Sequence, residues 1–157
     1  MGVRLRRARD EDSEGVIALI ARVFAEYEDC VLDVDLEEPE LRTPAQSFTR
    51  LWVLVRDGEV LGCGGLQDHG SGVVELKKLY LDPAVRGAGH AREIAALVEV
   101  YARSVGAESI ELWSDTRFLA AHGFYDRMGY VRTGRTRELH DLSNTTEYHY
   151  LKRLDVR

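Results

Sequence analysis

The sequence is poor in cysteine and has no long apolar run, and both shortages exclude classes of protein. Its 157 residues include two cysteines, Cys30 and Cys63, which form no Cys-x-x-Cys pair. Two such residues build neither a disulfide framework nor a metal site on their own, so we expect two reduced thiols and no bound metal. No apolar run approaches the roughly 18 residues that a membrane-spanning helix needs, so we expect no membrane partner.

The amino terminus also lacks the pattern of a secretory signal. The segment from Met1 to Arg7 is basic, but Asp10, Glu11 and Asp12 follow where a signal peptide would have its apolar region. We therefore expect a cytoplasmic protein.

An excess of positive charge is absent as well. Asp and Glu outnumber Lys and Arg by 27 to 21, and the net charge is −6, which argues against nucleic acid as a partner but not against a local basic pocket. The hydrophobic fraction of 45% and the charged fraction of 31% are typical of a globular protein. A chain of this length buries roughly 70% of its unfolded surface, so we predict a single domain over 1–157.

What the sequence does contain is a regular succession of strand and helix patterns. Asp10 is expected to cap a first helix over 11–28, and Asp57-Gly58 between two apolar runs predicts a hairpin. The predicted strands cover 3–9, 51–56, 60–67, 73–81, 109–113, 130–133 and 146–152. Two later helices are predicted, one of about four turns that ends before Gly106 and one at 120–128. This order predicts an α/β fold with a mixed, mostly antiparallel sheet flanked by helices.

One segment has the composition of an anion site. After the strand that ends near Leu81, a tight turn with Gly87 and Gly89 leads directly into the long helix. Such a turn directs successive backbone N–H groups at one point beside the positive end of the helix dipole, and Arg86 and Arg92 add charge. The alternative is that the two glycines only permit a turn, since neither a dinucleotide fingerprint nor a nucleotide P-loop is present.

Two motifs in this order resemble one known family. The segment Arg86-Gly87-Ala88-Gly89-His90-Ala91 resembles the R/Q-x-x-G-x-G/A signature of the GNAT superfamily of N-acetyltransferases. Downstream, Ala121-His122-Gly123-Phe124-Tyr125-Asp126-Arg127-Met128-Gly129-Tyr130 resembles the family's A-x-x-[FL]-Y-x-x-x-G-[FY] segment. The resemblance extends from about residue 3 to 152. It implies a GNAT-like central sheet of about seven strands and acetyl-CoA as co-substrate.

The resemblance also implies which residues bind the coenzyme. The turn and helix start from Arg86 to Arg92 would hold the pyrophosphate, and the backbone of Leu79, Tyr80 and Leu81 would pair with the pantetheine arm. Many members carry an asparagine where this sequence has Phe118. A polar contact to the arm is therefore expected to be lost or to come from Thr116.

Two side chains are the catalytic candidates that the resemblance implies. Glu75 stands four residues before Leu79, where part of the family has the general base that deprotonates the amine. Its alternative is a strand carboxylate paired with Lys77 or Arg92. Tyr125 matches the family tyrosine that donates a proton to the departing thiolate, and its alternative is a space-filling ring. A lone histidine such as His122 is more often structural.

The acceptor is the least determined part of this hypothesis. An acidic stretch from Glu26 to Glu40 contains no Lys or Arg, and the corresponding region of the family overhangs the acceptor site. With Tyr27, Glu28 and Asp29 as contacts, it favours a cationic acceptor such as a polyamine, an aminoglycoside-like amine or a peptide amine. The alternative is a solvated loop.

The overall hypothesis is direct transfer of the acetyl group to a primary amine in a ternary complex. A different class of function, a non-catalytic acyl-CoA sensor, stays open, and so does the length of the acyl chain. A homodimer that forms through the last strands, around 146–151, is a further expectation that the resemblance implies.

Overall fold

In the computed structural model, which describes residues 2–154, one seven-stranded sheet runs through the molecule. Its strands are β1 (Arg4–Arg7), β2 (Arg50–Arg56), β3 (Glu59–Asp68), β4 (Val73–Leu81), β5 (Ser109–Asp115), β6 (Val131–Glu138) and β7 (Thr146–Arg153). The helices are α1 (Ser13–Phe24), α2 (Val34–Glu37), α3 (Pro44–Ser47), α4 (His90–Ser104) and α5 (Leu119–Arg127). Short 3₁₀ turns cover Asp10–Asp12, Pro39–Arg42 and Pro83–Val85.

The sheet has the order β1-β2-β3-β4-β5-β7-β6. Neighbouring strands are antiparallel except for the central pair β4 and β5, which is parallel. The predicted mixed, mostly antiparallel sheet flanked by helices is therefore confirmed. No helix in the described part of the chain is long and apolar enough to cross a membrane.

The two faces of the sheet bury separate apolar clusters. On one face α1 packs on β2 and β3 through buried residues that include Val16, Leu19 and Ile20. On the other face Ile94, Ala95 and Val98 of α4 are buried against the strands. Both helices are amphipathic, so burial of their apolar faces fixes the sheet between them.

Most of the local predictions agree with the structure. Asp57 and Gly58 adopt left-handed φ angles of 50° and 79°, as the tight hairpin turn between β2 and β3 requires. Gly106, just after α4, also has a positive φ of 71°. Strands β2, β3, β4, β5 and β7 lie within two residues of their predicted bounds, whereas β6 extends to Glu138.

The amino-terminal part requires two corrections. Asp10 does not cap α1, because its carboxylate accepts hydrogen bonds from the Ala45 N–H at 2.9 Å and from the Gln46 amide. The helix itself covers Ser13–Phe24, shorter than predicted. The acidic stretch is not simply a solvated loop either, since it contains α2 and buries Val34.

The expected dimerisation strand also has a different place in the sheet. Strand β7 lies between β5 and β6 and is hydrogen bonded on both edges. Its backbone therefore has no free edge for a second copy, and β6 is the outer strand on this side.

A bulge in β4 opens the centre of the sheet. Strand β4 pairs with β5 only from Val73 to Glu75. Farther along, Lys78 takes a left-handed φ of 59°, and the register between β3 and β4 shifts by one residue. Beyond Glu75 the two parallel strands separate, which leaves an edge of β4 unpaired.

The close approach of β3 and β2 beside this bulge makes a stability prediction. A Cβ atom on Gly65 would lie 2.1 Å from the Arg50 carbonyl oxygen and 2.9 Å from the Leu51 Cα. Backbone atoms cannot yield as a flexible side chain does, so Gly65→Ala should lower the free energy of unfolding by about 3 kcal/mol in urea denaturation.

The matched control is Gly123→Ala in α5, where the added Cβ would meet only the end of the flexible Arg127 side chain, at 3.2 Å. This change should be neutral or stabilising by up to about 1 kcal/mol, because alanine favours the helix. Equal effects of the two substitutions would show that the spacing of β2 and β3 is not the constraint.

Candidate active site

A cavity of about 800 Å³ opens where β4 and β5 separate. Its walls come from the separated strands, from α5, from the end of α1 and from the segment between β6 and β7. Of the predicted site residues, Glu75, Leu79, Tyr80, Leu81, Arg86, Gly87, Ala91, Phe118, Tyr125 and Tyr27 line it. The structure therefore brings predicted residues from three distant parts of the sequence to one continuous cleft.

One end of the cleft is a cradle of free backbone amides. Gly87 and Gly89 have left-handed φ angles of 81° and 88°. Within residues 2–154, the N–H groups of residues 87–92 donate no hydrogen bond, and the first helical donor is the Glu93 N–H, 3.0 Å from the Gly89 oxygen. A Cβ on either glycine would meet nothing within 4 Å, so the turn is open to a ligand. Free N–H groups at the start of a 15-residue helix fit a phosphate group.

Arg86 is paired in the structure, and its predicted contact with the coenzyme stays a prediction. Its guanidinium donates two hydrogen bonds to the Glu26 carboxylate, at 2.8 and 2.7 Å, and its Nε donates to the Leu81 oxygen at 3.0 Å. The bond with Glu26 raises the pKa of Arg86. The carboxylate of Glu26 therefore largely neutralises the positive charge of Arg86. The Arg86 side chain connects the turn to the segment just after α1. Arg92 is exposed at the start of α4, where the predicted contact with phosphate stays a hypothesis.

The edge of β4 that faces β5 is unpaired from Leu76 to Leu81. Its backbone groups lie along the wall of the cleft, where an extended ligand can add as a strand would. The ring of Tyr80 packs edge-on against Phe24, with centroids 5.8 Å apart. The backbone of this segment is thus available for binding, while the Tyr80 ring is packed against α1.

An aromatic cluster forms the opposite wall. Phe118 lies 4.8 Å from Tyr27 and 6.4 Å from Tyr80, measured between ring centroids. Thr116, the expected substitute for the family asparagine, does not line the cavity, and its N–H donates to the Thr146 oxygen at 3.0 Å. Phe118 supplies an apolar surface at this point, while the Thr116 backbone is bonded to β7.

Glu75 is held by a histidine that the sequence did not single out. The Glu75 Oε1 atom lies 2.9 Å from the His69 Nε2 atom, and the structure shows neither of the expected pairings, with Lys77 or with Arg92. Glu75 is largely buried while His69, in the β3–β4 turn, is exposed. The pair therefore connects the inside of the cleft with solvent. In the sequence, the Asp68-His69-Gly70 turn shows only a histidine next to a strand. Nothing in that pattern predicts the bond to Glu75.

Tyr125 is buried in α5 between the rings of Tyr130 and Tyr150, at centroid distances of 6.0 and 5.7 Å. Its hydroxyl has no hydrogen-bond partner between residues 2 and 154, and the residue lines the cavity. Burial raises the pKa of Tyr125 well above its ordinary value. The phenol is thus protonated at neutral pH and oriented toward the cleft.

His122 lies outside the cavity. Its Nε2 atom is 3.0 Å from the Asp115 oxygen, and its ring packs near Tyr148 and Tyr150. Burial lowers the pKa of His122. These contacts give the residue a structural role.

The acidic contacts come from a later part of the acidic stretch than expected. Glu28 and Asp29 are exposed in the turn after α1 and do not line the main cavity. Glu37, Glu38 and Glu40 line it instead. The reason is that the chain reverses through α2 and the following 3₁₀ turn, which directs these later carboxylates toward β4.

A partly buried ion cluster stands between this acidic segment and the bulge. The Lys78 ammonium donates to the Glu38 carboxylate, and Glu40 lies 3.6 Å away. These three charged groups thus join β4 to the acidic segment. They comprise two carboxylates and one ammonium group, so negative charge is in excess.

The complete lining has more acid than base. Its carboxylates are Glu37, Glu38, Glu40, Glu75, Asp115, Asp141 and Glu147, and its Lys and Arg residues are Lys77, Lys78, Arg86, Arg127 and Arg137. Among residues 2–154, no group of three or more His, Cys, Asp or Glu side chains is arranged to hold a metal ion. The cleft can therefore take an anion at its amide cradle and a cation at its other end.

Comparison with known proteins shows similarity to one family of acetyltransferases. A family model described as the acetyltransferase (GNAT) family matches residues 15–130. An uncharacterised N-acetyltransferase of Escherichia coli is 30% identical over 137 residues, which is 80% of both chains. An aminoalkylphosphonate N-acetyltransferase of Salmonella typhimurium is 31% identical over 134 residues, 82% of this chain and 85% of the relative.

The fold has solved counterparts as well. A GNAT-family acetyltransferase from Staphylococcus aureus superposes with a TM-score of 0.84 at 17% identity and covers 98% of this chain and 100% of its own. The PaiA N-acetyltransferase of Thermoplasma acidophilum, solved in complex with coenzyme A, has a TM-score of 0.70 at 16% identity over 98% of this chain and 100% of its own.

The ion cluster predicts an unequal response to charge removal. Glu38→Gln leaves the largely buried Lys78 without its nearest carboxylate, so the free energy of unfolding should fall by about 2 kcal/mol. The matched control is Asp35→Asn, which breaks an exposed pair with Arg42 and should change it by less than about 0.5 kcal/mol. Urea denaturation of both variants measures the difference, and equal losses would contradict the structural role of the cluster.

Proposed function

Since the chain belongs to the GNAT family of N-acetyltransferases, we propose that it transfers the acetyl group of acetyl-CoA directly to a small, positively charged primary amine. The observation that carries this proposal is the continuous cleft from the amide cradle at Gly87 to Glu75 and Tyr125. The cleft has a volume of about 800 Å³ and joins the amide cradle to both catalytic candidates, which supports transfer in a ternary complex.

The residues at the coenzyme end fit acetyl-CoA. The N–H groups of residues 87–92 are free to bind the pyrophosphate, and the unpaired edge of β4 from Leu79 to Leu81 can align the pantetheine arm. Phe118 and Tyr80 add apolar surface to the channel. When bound, the thioester supplies an activated acetyl group.

Glu75 is the proposed general base. A primary amine is mostly protonated at neutral pH and must lose a proton before it attacks. The Glu75 carboxylate lies in the cleft and can accept that proton, directly or through water. Its bond with His69 fixes the orientation of the carboxylate and offers an exit for the proton to solvent.

Tyr125 is the proposed partner of the departing sulfur. A thiol has an ordinary pKa of about 8.5, below that of a phenol, and burial raises the pKa of Tyr125 further. A thiolate is thus too weak a base to remove the phenol proton fully. Tyr125 therefore acts as a hydrogen-bond donor that stabilises the negative charge on sulfur.

The charge of the other end supports a cationic acceptor. Glu37 and Asp141 line the cavity with no ion pair to Lys or Arg in the described chain, and Glu40 is only loosely matched by Lys78. An ammonium group near these carboxylates is favoured over a neutral or anionic one. Tyr27 forms part of the same wall.

A second candidate acceptor carries an acid beside its amine. Lys77 lines the cavity two residues from Glu75 and has no ion-pair partner among residues 2–154. The Salmonella relative is an aminoalkylphosphonate N-acetyltransferase, and such a substrate combines both groups. An ammonium near Glu75 and a phosphonate or carboxylate on Lys77 would satisfy the same cleft.

The coenzyme site predicts a selective gain in thermal stability. A ligand that binds only the folded protein stabilises it by about 2.7 kcal/mol at a hundredfold excess over Kd. Acetyl-CoA and free coenzyme A should therefore both raise Tm by roughly 5–10 °C, as followed by differential scanning fluorimetry. NAD at the same concentration is the control and should have no effect.

No shift with acetyl-CoA would show that the Gly87–Gly89 turn is only a turn. A shift without release of coenzyme A in the presence of any amine would favour a non-catalytic acyl-CoA sensor. The first outcome would contradict binding of the coenzyme, and the second would contradict transfer of the acetyl group.

The two catalytic candidates predict different pH profiles. Glu75→Gln should lower kcat/KM by about 10²-fold or more near pH 7, and activity should recover as pH rises because more of the amine is then neutral. Tyr125→Phe should lower kcat by roughly tenfold or more at every pH from about 6 to 9, because burial keeps the phenol protonated throughout. Initial rates of thiol release measure both profiles.

Matched controls exist for each substitution. Glu111→Gln alters the neighbouring carboxylate on β5, which bonds His149 at 2.8 Å, and Tyr130→Phe alters the buried ring beside Tyr125. Neither residue lines the cavity, so both controls should retain most of the activity. If Glu75→Gln and Glu111→Gln were equally impaired at all pH values, Glu75 would not be the base.

A further inference from the structure

The exposed apolar side chains of this protein are unevenly distributed. Eight large hydrophobic residues are exposed in the described chain. Val100, Val105, Leu119 and Val131 are spread over α4, its end, α5 and β6. The other four are Val31, Leu36, Leu139 and Leu142, which belong to the connection between α1 and β2 or to the loop between β6 and β7. We call these four residues the apolar rim.

Hydrogen bonds between backbone groups and side chains hold the two segments of the rim together. The Val31 N–H donates to the Ser143 hydroxyl at 2.7 Å, and that hydroxyl donates to the Val31 oxygen at 3.1 Å. The Leu142 N–H donates to the Glu37 carboxylate at 2.9 Å. Ser143 is buried. The rim is therefore a fixed surface, although its side chains are between 41% and 69% exposed.

The rim lies at the acceptor end of the cleft. Val31 and Leu139 line the cavity together with Glu37, Glu38 and Glu40. The bond from Leu142 to Glu37 places the rest of the rim directly beside these carboxylates. Apolar and acidic groups thus adjoin where the second substrate of the proposed reaction would enter.

We infer that the acceptor is a small amine attached to an apolar body, whose ammonium lies among the carboxylates while the body rests on the apolar rim. This inference rests on the proposed acetyl transfer and narrows its substrate class. A polyamine or an amino sugar would match the charge but leave the rim in contact with polar groups. An arylalkylamine matches both, because removing apolar surface from water is favourable in proportion to its area.

The central comparison of the test is between two amines that each carry a single positive charge. With acetyl-CoA saturating, kcat/KM for 2-phenylethylamine should exceed that for ethanolamine by roughly tenfold or more, since each buried methylene or equivalent contributes severalfold. Spermidine and 2-aminoethylphosphonate complete the panel. Thiol release is the readout, and the full-length protein is used throughout.

Variants of the apolar rim test whether the preference for phenylethylamine arises at this surface. Val31→Ser and Leu139→Ser should each reduce the ratio of kcat/KM for phenylethylamine over ethanolamine by roughly three- to tenfold, mainly through KM. Val100→Ser removes an exposed valine from α4, far from the cavity, and should leave the ratio unchanged. Urea denaturation checks that all three variants are folded.

Three results would overturn the inference. One is a preference for ethanolamine or spermidine, another is a preference for aminoethylphosphonate, and the third is a ratio that the rim variants do not change. In each case acetyl transfer itself would still stand. If no amine in the panel released coenzyme A although acetyl-CoA still raised Tm, the proposed function would fail and this inference with it.

Discussion

The cleft lies beside one strained residue, Lys78, whose left-handed backbone forms the bulge that follows the last paired residues of β4 and β5. A φ of 59° costs a residue with a β-carbon on the order of 1–2 kcal/mol. The structure holds it there from two sides, since the Cys63 thiol donates to the Lys78 oxygen and the Lys78 ammonium bonds Glu38. The bulge thus stands where β4 has separated from β5, beside the cavity that opens between the two strands.

The same bulge explains how the fold divides two tasks along one strand. Residues before it, which include Glu75, are still paired with β5, so they can hold the proposed catalytic carboxylate in position. After it, Tyr80 and Leu81 are again paired with β3, while their edge toward β5 has no partner strand. An extended ligand that binds through backbone hydrogen bonds requires a rigid strand with one unpaired edge.

The features predictable from the sequence were local ones. The Asp57-Gly58 turn and the two glycines before α4 determine their own backbone geometry, and the order of strands and helices followed from them. The partners of charged side chains were not predictable, because they are distant along the chain. Arg86 bonds Glu26 across 60 residues, and no pattern near either one indicates it. The role of His69 is unpredictable because its bond to Glu75 depends on how the β3–β4 turn folds back.

This limit also explains why the acidic stretch was interpreted too simply. Its charges look equivalent in the sequence, yet each has a different partner in the fold. Glu26 is matched by Arg86, and Glu38 is matched by Lys78. The field that reaches the acceptor therefore comes from the few carboxylates that remain unmatched, above all Glu37, rather than from the net charge of the segment. In the proposed reaction a field from so few charges would attract any amine, so discrimination between amines would come from the surface beside it, which is apolar.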